Sequence, residues 1–248
     1  RRPTVGCGEG LAEFNRNLHR YQALRRVGVT TALMARTAAV PAVMYGCETM
    51  GMSDSCLKDA RTKIAKAASP VSCGRNPVLT LLAIDGTNGT IDPAFEAHAA
   101  IIRHWALAVW DQWFGTQHMQ TALNAARHKL GRAKGSWWSM VTGPTTAILA
   151  TVRRLRWKCI DATTMITDEG RQLDLNLDPP AVVASEVKLT VRRLRWNEAS
   201  LVLPGLLPTS ADSALQRPQE LRTVLVPCVS AASPLLKARP CPRAAGPV

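Results

Sequence analysis

The sequence contains no C-x-x-C pair, no G-x-x-x-x-G-K-[ST] loop, no G-x-S-x-G elbow and no two adjacent aspartates. Each absence removes a class of chemistry. Structural zinc sites need closely spaced ligand pairs, and seven scattered cysteines with five histidines do not supply them. A nucleotide phosphate finds no glycine-rich cradle, and a serine nucleophile finds no strained turn to sit on. Two-metal polymerase or nuclease chemistry needs clustered carboxylates. The acids here are scattered, and the nearest approach, Asp168-Glu169, precedes Gly170 and reads as a turn. The residues therefore point to no catalytic centre, no metal and no cofactor within this chain.

Long apolar runs are missing too. Arg36 interrupts the best candidate for a bilayer span, and the first residues lack the apolar core of a signal peptide. Scattered thiols suit a reducing compartment. The expectation is an intracellular protein, nuclear or cytoplasmic, with no membrane partner. The chain starts at Arg1 without a methionine and reads as a fragment.

Acids are scarce. There are 18 Asp and Glu against 31 Lys and Arg, a formal net charge of +13 over 248 residues. From Gln112 to Ile160 no carboxylate occurs, while eight Lys or Arg do. Such a balance favours a polyanionic partner, nucleic acid before an anionic membrane surface. An apolar fraction of 46% leaves room for a sizeable core.

Apolar residues Leu11, Phe14, Leu18, Tyr21, Leu24 and Val27 recur every three or four positions and predict a helix. Gly28 breaks it, Thr30 or Thr31 is placed to cap a second helix, and Pro41 ends or kinks that one. Ser53 or Asp54 caps a third helix with Leu57, Ala60, Ile64 and Ala67 on one face. "PVLTLLAIDG" fits helix or strand, and "PAFEAHAAIIRHWALAVWDQWF" reads as a buried central helix. Pro144 and Pro179-Pro180 open two further helices around a hairpin centred on Asp168-Glu169-Gly170. The heptapeptide TVRRLRW occurs at residues 151–157 and again at 190–196, each time at the end of a predicted helix.

The expected fold is mainly α: a helical bundle with a small α+β (αββα) module and a disordered C-terminal tail. The expected boundaries are a disordered N-terminus over 1–8, a helical region over 9–125, a basic linker over 126–142, the αββα module over 143–200, and a Pro/Ala/Ser-rich tail over 201–248. Candidate phosphate-binding residues are Arg20, Arg25, Arg26, Arg61, Lys63 and Lys66, with Arg153, Arg154, Arg192 and Arg193 in the two heptapeptides. Trp137 and Trp138, beside Lys134, are candidates for stacking on exposed bases; core or interface anchoring is the alternative.

The stretch "RYQALRRVGVTTALMARTAAVPAVMYGCET" resembles the segment that follows the catalytic palm in reverse transcriptases of non-LTR (LINE-like) retroelements. Pro41, Tyr45, Gly46 and Glu48 match that family's order, while Met50 stands where a tryptophan is frequent. The resemblance extends over roughly residues 10–200. It implies a thumb-like helical region over 10–75 that grips a template–primer duplex, with Tyr45 and Gly46 forming a tight turn around a packed ring. It also implies that the metal-binding aspartates of an RNA-directed DNA polymerase lie upstream, so that an upstream palm domain would be a partner and this chain would have no polymerase centre. A basic protein–protein interaction module and a decayed reading frame without activity are the alternative readings.

Overall fold

The computed structural model describes residues 7–69, 76–85 and 89–202. The expectations of a disordered tail and of disorder over the first six residues lie outside this range. The described chain is mainly helical and carries one small antiparallel sheet.

Helix α1 (Cys7–Arg26) begins two residues before the expected start and follows the apolar stripe. Leu11 and Phe14 are buried, and the Phe14 and Tyr21 rings meet edge to face at 5.5 Å. Val27 falls past the helix end and is exposed. Gly28 follows at φ 87°, a left-handed conformation in which a side chain would be strained. The second helical run is α2 (Thr31–Met34), a π-helical turn (Ala35–Ala39) and α3 (Val40–Met44). The widened turn lies directly N-terminal to Pro41, which lacks an amide hydrogen and whose ring clashes with the carbonyl one turn back. Pro41 therefore perturbs the helix without ending it.

A short α4 (Cys47–Met50) leads to α5 (Asp54–Ala68). Ser53 is the cap of α5, its hydroxyl accepting from the Cys56 amide at 3.3 Å. The predicted face of Leu57, Ala60, Ile64 and Ala67 is buried. Pro77–Asp85, ambiguous in sequence, is helix α6. Helix α7 (Pro93–Trp110) is central: it touches α3, α4 and α5. Its cap is Asp92, which accepts from the Ala94 amide at 2.9 Å.

Helix α8 (Thr116–Gly131) runs into the region expected as a linker, and a 3-10 turn (Trp137–Met140) occupies its far end. Helix α9 (Pro144–Arg154) is followed by β1 (Lys158–Cys159), β2 (Thr164–Ile166) and β3 (Gln172–Asp174), then by α10 (Pro180–Val202). The sheet order is β1-β2-β3, all antiparallel, with Cys159 opposite Met165 and Met165 opposite Leu173. The expected hairpin is β2–β3. The added strand, β1, is two residues long, too short to show an alternating pattern in sequence. Both α9 and α10 pack on α7, and Val183, Val187 and Val191 of α10 join the same buried cluster as Ile101, Ile102 and Trp105 of α7.

The two heptapeptides adopt different backbones. The first leaves the helix after Arg154 and turns at Arg156, which has φ 61°. The second lies inside α10, which continues to Val202, so the expectation that both copies end helices holds only for the first.

Candidate nucleic-acid interface

The carboxylate-free stretch folds onto itself. Helices α8 and α9 pack together, the 3-10 turn touches both, and β1 packs on α9. Two cations fasten this sector. Arg127 donates to the Ile160 carbonyl at 2.8 Å and also to that of Cys159, tying α8 to the strand β1. Lys129 donates to the Thr142 hydroxyl at 2.6 Å, tying α8 to the entrance of α9. That entrance is itself closed by Thr146, whose hydroxyl accepts from the Thr142 amide at 3.0 Å and donates to the Gly143 carbonyl at 2.9 Å.

Arg132, Lys134, Arg153, Arg156 and Lys158 are exposed around this frame. Among the described residues, only one cation of the sector bonds a carboxylate: Arg154, 2.7 Å from Asp54. Sequence reasoning identified the acid-free stretch but named only Arg153 and Arg154 from it as phosphate contacts. Arg127, Lys129, Arg132, Lys134, Arg156 and Lys158 were visible in the same signal, because no local acid could neutralise them.

The other candidates divide sharply. Arg20, Arg26 and Lys66 are exposed, and no carboxylate bonds them among the described residues. Arg25 lies next to Arg26 but donates to the carbonyls of Lys66 and Ser69, joining the ends of α1 and α5. Lys63 is 2.7 Å from Asp59 one turn earlier. Arg61 does not belong to any surface. It is buried, its guanidinium donates to both Asp92 oxygens at 2.9–3.1 Å, and Glu198 lies 3.3 Å away. Arg193 pairs with Asp168 at 2.7 Å and with Glu169 at 3.1 Å. Arg154, half-buried, also donates to the Met52 carbonyl at 2.8 Å. Arg192 is partly buried, and burial lowers its basicity. Arg61, Lys63, Arg154 and Arg193 are therefore withdrawn as phosphate contacts: acids from their own or distant segments already neutralise them.

The two candidate tryptophans already have partners within the protein. Arg153 lies 4.3 Å above the Trp137 ring, and Arg154 lies 4.2 Å above the Trp138 ring. Trp138 also covers Gly51, where an added Cβ would stand 2.8 Å from its ring. Each indole thus has one face occupied by an arginine. Trp137 is better described as the support that holds Arg153 in place.

Buried charge collects around His98 of α7, whose electrostatic neighbours are Arg154, Arg195 and Arg61. His98 is fully buried, and its Nδ1 lies in hydrogen-bond range of the Ala94 carbonyl, so Nδ1 is the donor and Nε2 has no partner among the described residues. Burial, reinforced by the charges of Arg154, Arg195 and Arg61, pushes its pKa down to about 3. His98 is therefore a neutral core imidazole and offers no proton chemistry near neutrality.

The residues that carried the family resemblance are placed as follows. Tyr45 and Gly46 form a turn, with Gly46 at φ 78°. The Tyr45 ring is 78% exposed, which corrects the expectation of a packed ring. Glu48 lines two cavities, of about 360 and about 610 Å³. Among the described residues no group of three or more His, Cys, Asp or Glu could hold a metal ion, and no helix is long and apolar enough to cross a membrane. No protein-family model, no curated protein and no solved structure matches the chain.

Proposed function

We propose that the chain binds nucleic acid through the sector built from α8, the 3-10 turn, α9 and β1. In this reading it is the thumb and downstream region of a reverse transcriptase-like retroelement protein, gripping template–primer phosphates for a catalytic centre housed elsewhere. One observation carries the proposal: among the described residues no carboxylate pairs with any cation of residues 127–158 except the half-buried Arg154, which meets Asp54. Unneutralised cations on a rigid frame condense on a sugar–phosphate backbone and release its counterions. Arg26 and Lys66, at the joined ends of α1 and α5, with Arg20 further back on α1, extend the same chemistry to a second patch. The retroelement part of the reading rests on the order of Pro41, Tyr45, Gly46 and Glu48 in the sequence.

Fluorescence anisotropy with an RNA–DNA hybrid and a DNA duplex, at several salt concentrations, tests the proposal. Log affinity should fall linearly with log salt, with a slope that reports several phosphate contacts at about 0.9 each. Flat, weak binding to both duplexes overturns it.

A further inference from the structure

The smaller cavity, about 360 Å³, opens at the corner between α7 and α8. Its walls are almost wholly apolar: Ile101, Trp105, Met119 and Ile148 form the interior, and Trp113 and Phe114 stand at the mouth. The corner is deliberate in its backbone. Gln112 adopts φ 51°, a left-handed conformation unusual for a side-chain-bearing residue, and this delivers Trp113 against His104, with the ring centroids 5.1 Å apart and nearly perpendicular. Trp113 and Phe114 remain 47% and 64% exposed, a poor arrangement for rings of that size unless something covers them.

The charge of the cavity opposes the charge of the chain. In a protein of net charge +13, no lysine or arginine among the described residues lines this space. Glu48 does, with His104 and His118 as its only ionisable neighbours there, and it has neither a hydrogen-bond nor an ion-pair partner among the described residues. Glu48 is only partly buried and stands at the edge of an aromatic-lined space, where its uncommitted carboxylate is open to a cation. The volume is that of a small-molecule site. Aromatic faces at the mouth add attraction for an organic cation.

We infer that this cavity binds a small organic ammonium ion with an apolar or aromatic body, its nitrogen paired with Glu48 and its body seated among Trp105, Trp113 and Phe114. The inference does not depend on the nucleic-acid reading, whose cations lie elsewhere.

Isothermal titration calorimetry of the wild-type chain with phenethylammonium, and with phenylpropionate as an isostere of opposite charge, tests it. Phenethylammonium should bind once per chain, and phenylpropionate should bind at least about fivefold more weakly. Glu48→Gln should weaken the amine by about fivefold or more and leave circular dichroism unchanged. Ala122→Phe, on the exposed rim, should block it. Equal affinity for both probes, an unchanged Glu48→Gln, or no saturable heat with phenethylammonium each overturns the inference. So does concentration-dependent self-association that Phe114→Ser abolishes, which would assign the aromatic mouth to a second copy of the chain.

Discussion

The indole nitrogen of Trp157 lies 3.0 Å from the hydroxyl of Thr190, so the last residue of one TVRRLRW copy donates to the first residue of the other. The same hydroxyl donates to Asp168 at 2.7 Å, and Arg193, also of the second copy, donates to that carboxylate at 2.7 Å. Burial works against ionisation of Asp168, but the hydrogen bonds from Arg193 and Thr190 outweigh it and hold its carboxyl below the usual range. The repeat thus closes the module by clasping the hairpin turn between its own two copies.

Thr190→Val keeps the shape and removes the bonds to Trp157 and Asp168 together with the one that the hydroxyl accepts from Arg193 at 3.1 Å. It should cost about 1–3 kcal/mol in urea unfolding, because Trp157 and Asp168 each lose a partner. Thr151 begins the other copy, yet its hydroxyl only donates back to the Ala147 carbonyl of its own helix at 2.9 Å. Thr151→Val should therefore cost less than about 1 kcal/mol.

Arg61→Met should be severely destabilising, about 3–5 kcal/mol, since it leaves the Asp92 carboxylate buried without its counterion. Adding Asp92→Asn should recover part of the loss, because asparagine can still accept from the Ala94 amide as a helix cap. Chemical denaturation of the single and double variants checks both.

His98 makes stability depend on acidity in a defined direction. Its folded pKa, about 3, lies below the unfolded value of about 6.5. Between these values the unfolded chain takes up a proton that the folded chain refuses. The contribution is complete above about pH 6.5 and declines as pH falls towards 3, with a slope approaching about 1.4 kcal/mol per pH unit. Replacing His98 with glutamine should remove that slope from a series of unfolding midpoints measured between pH 4 and 7, whatever it does to stability at neutrality.

Arg156 separates binding from folding. Its φ of 61° suits glycine better than arginine, and its side chain is exposed. Arg156→Gly should leave the melting temperature equal or higher while weakening duplex binding and lowering the salt slope by about 0.9. Lys63→Ala removes the same unit of charge from a position already paired with Asp59, and should change the slope little.

Gly51→Ala should destabilise by about 1–3 kcal/mol. The position combines φ 64° with the Trp138 ring 2.8 Å from the new methyl group, so backbone and ring must both yield. Loss of near-ultraviolet dichroism from a displaced indole would confirm that Trp138 is the neighbour that moves.

Much of the helical frame was legible because it obeys short-range rules. The stripe of α1, the cap and inner face of α5, and the all-round apolarity of α7 follow from local spacing. The fate of individual arginines did not follow. Arg61 and Arg20 look alike in sequence, and only the approach of Asp92, 31 positions away, decides that one is core and the other surface. The heptapeptide makes the same point about backbones: identical residues turn at Arg156 and continue helically at Arg195, because α7, α9 and the hairpin surround the two copies differently. Charge balance over a window proved more informative than any single cation. The absence of acids from 112 to 160 survived folding, whereas the individually chosen Arg61 and Arg193 did not remain free.

Helix α10 runs along α7 and supplies Glu198 to Arg61, Thr190 to Trp157 and three valines to the shared interior. A segment near the far end of the described chain is thus the flank on which the middle helix closes. Shortening the protein before residue 180 would not release a smaller self-sufficient bundle. It would expose the side of α7 that α10 shields and leave Arg61 without one of its two acids.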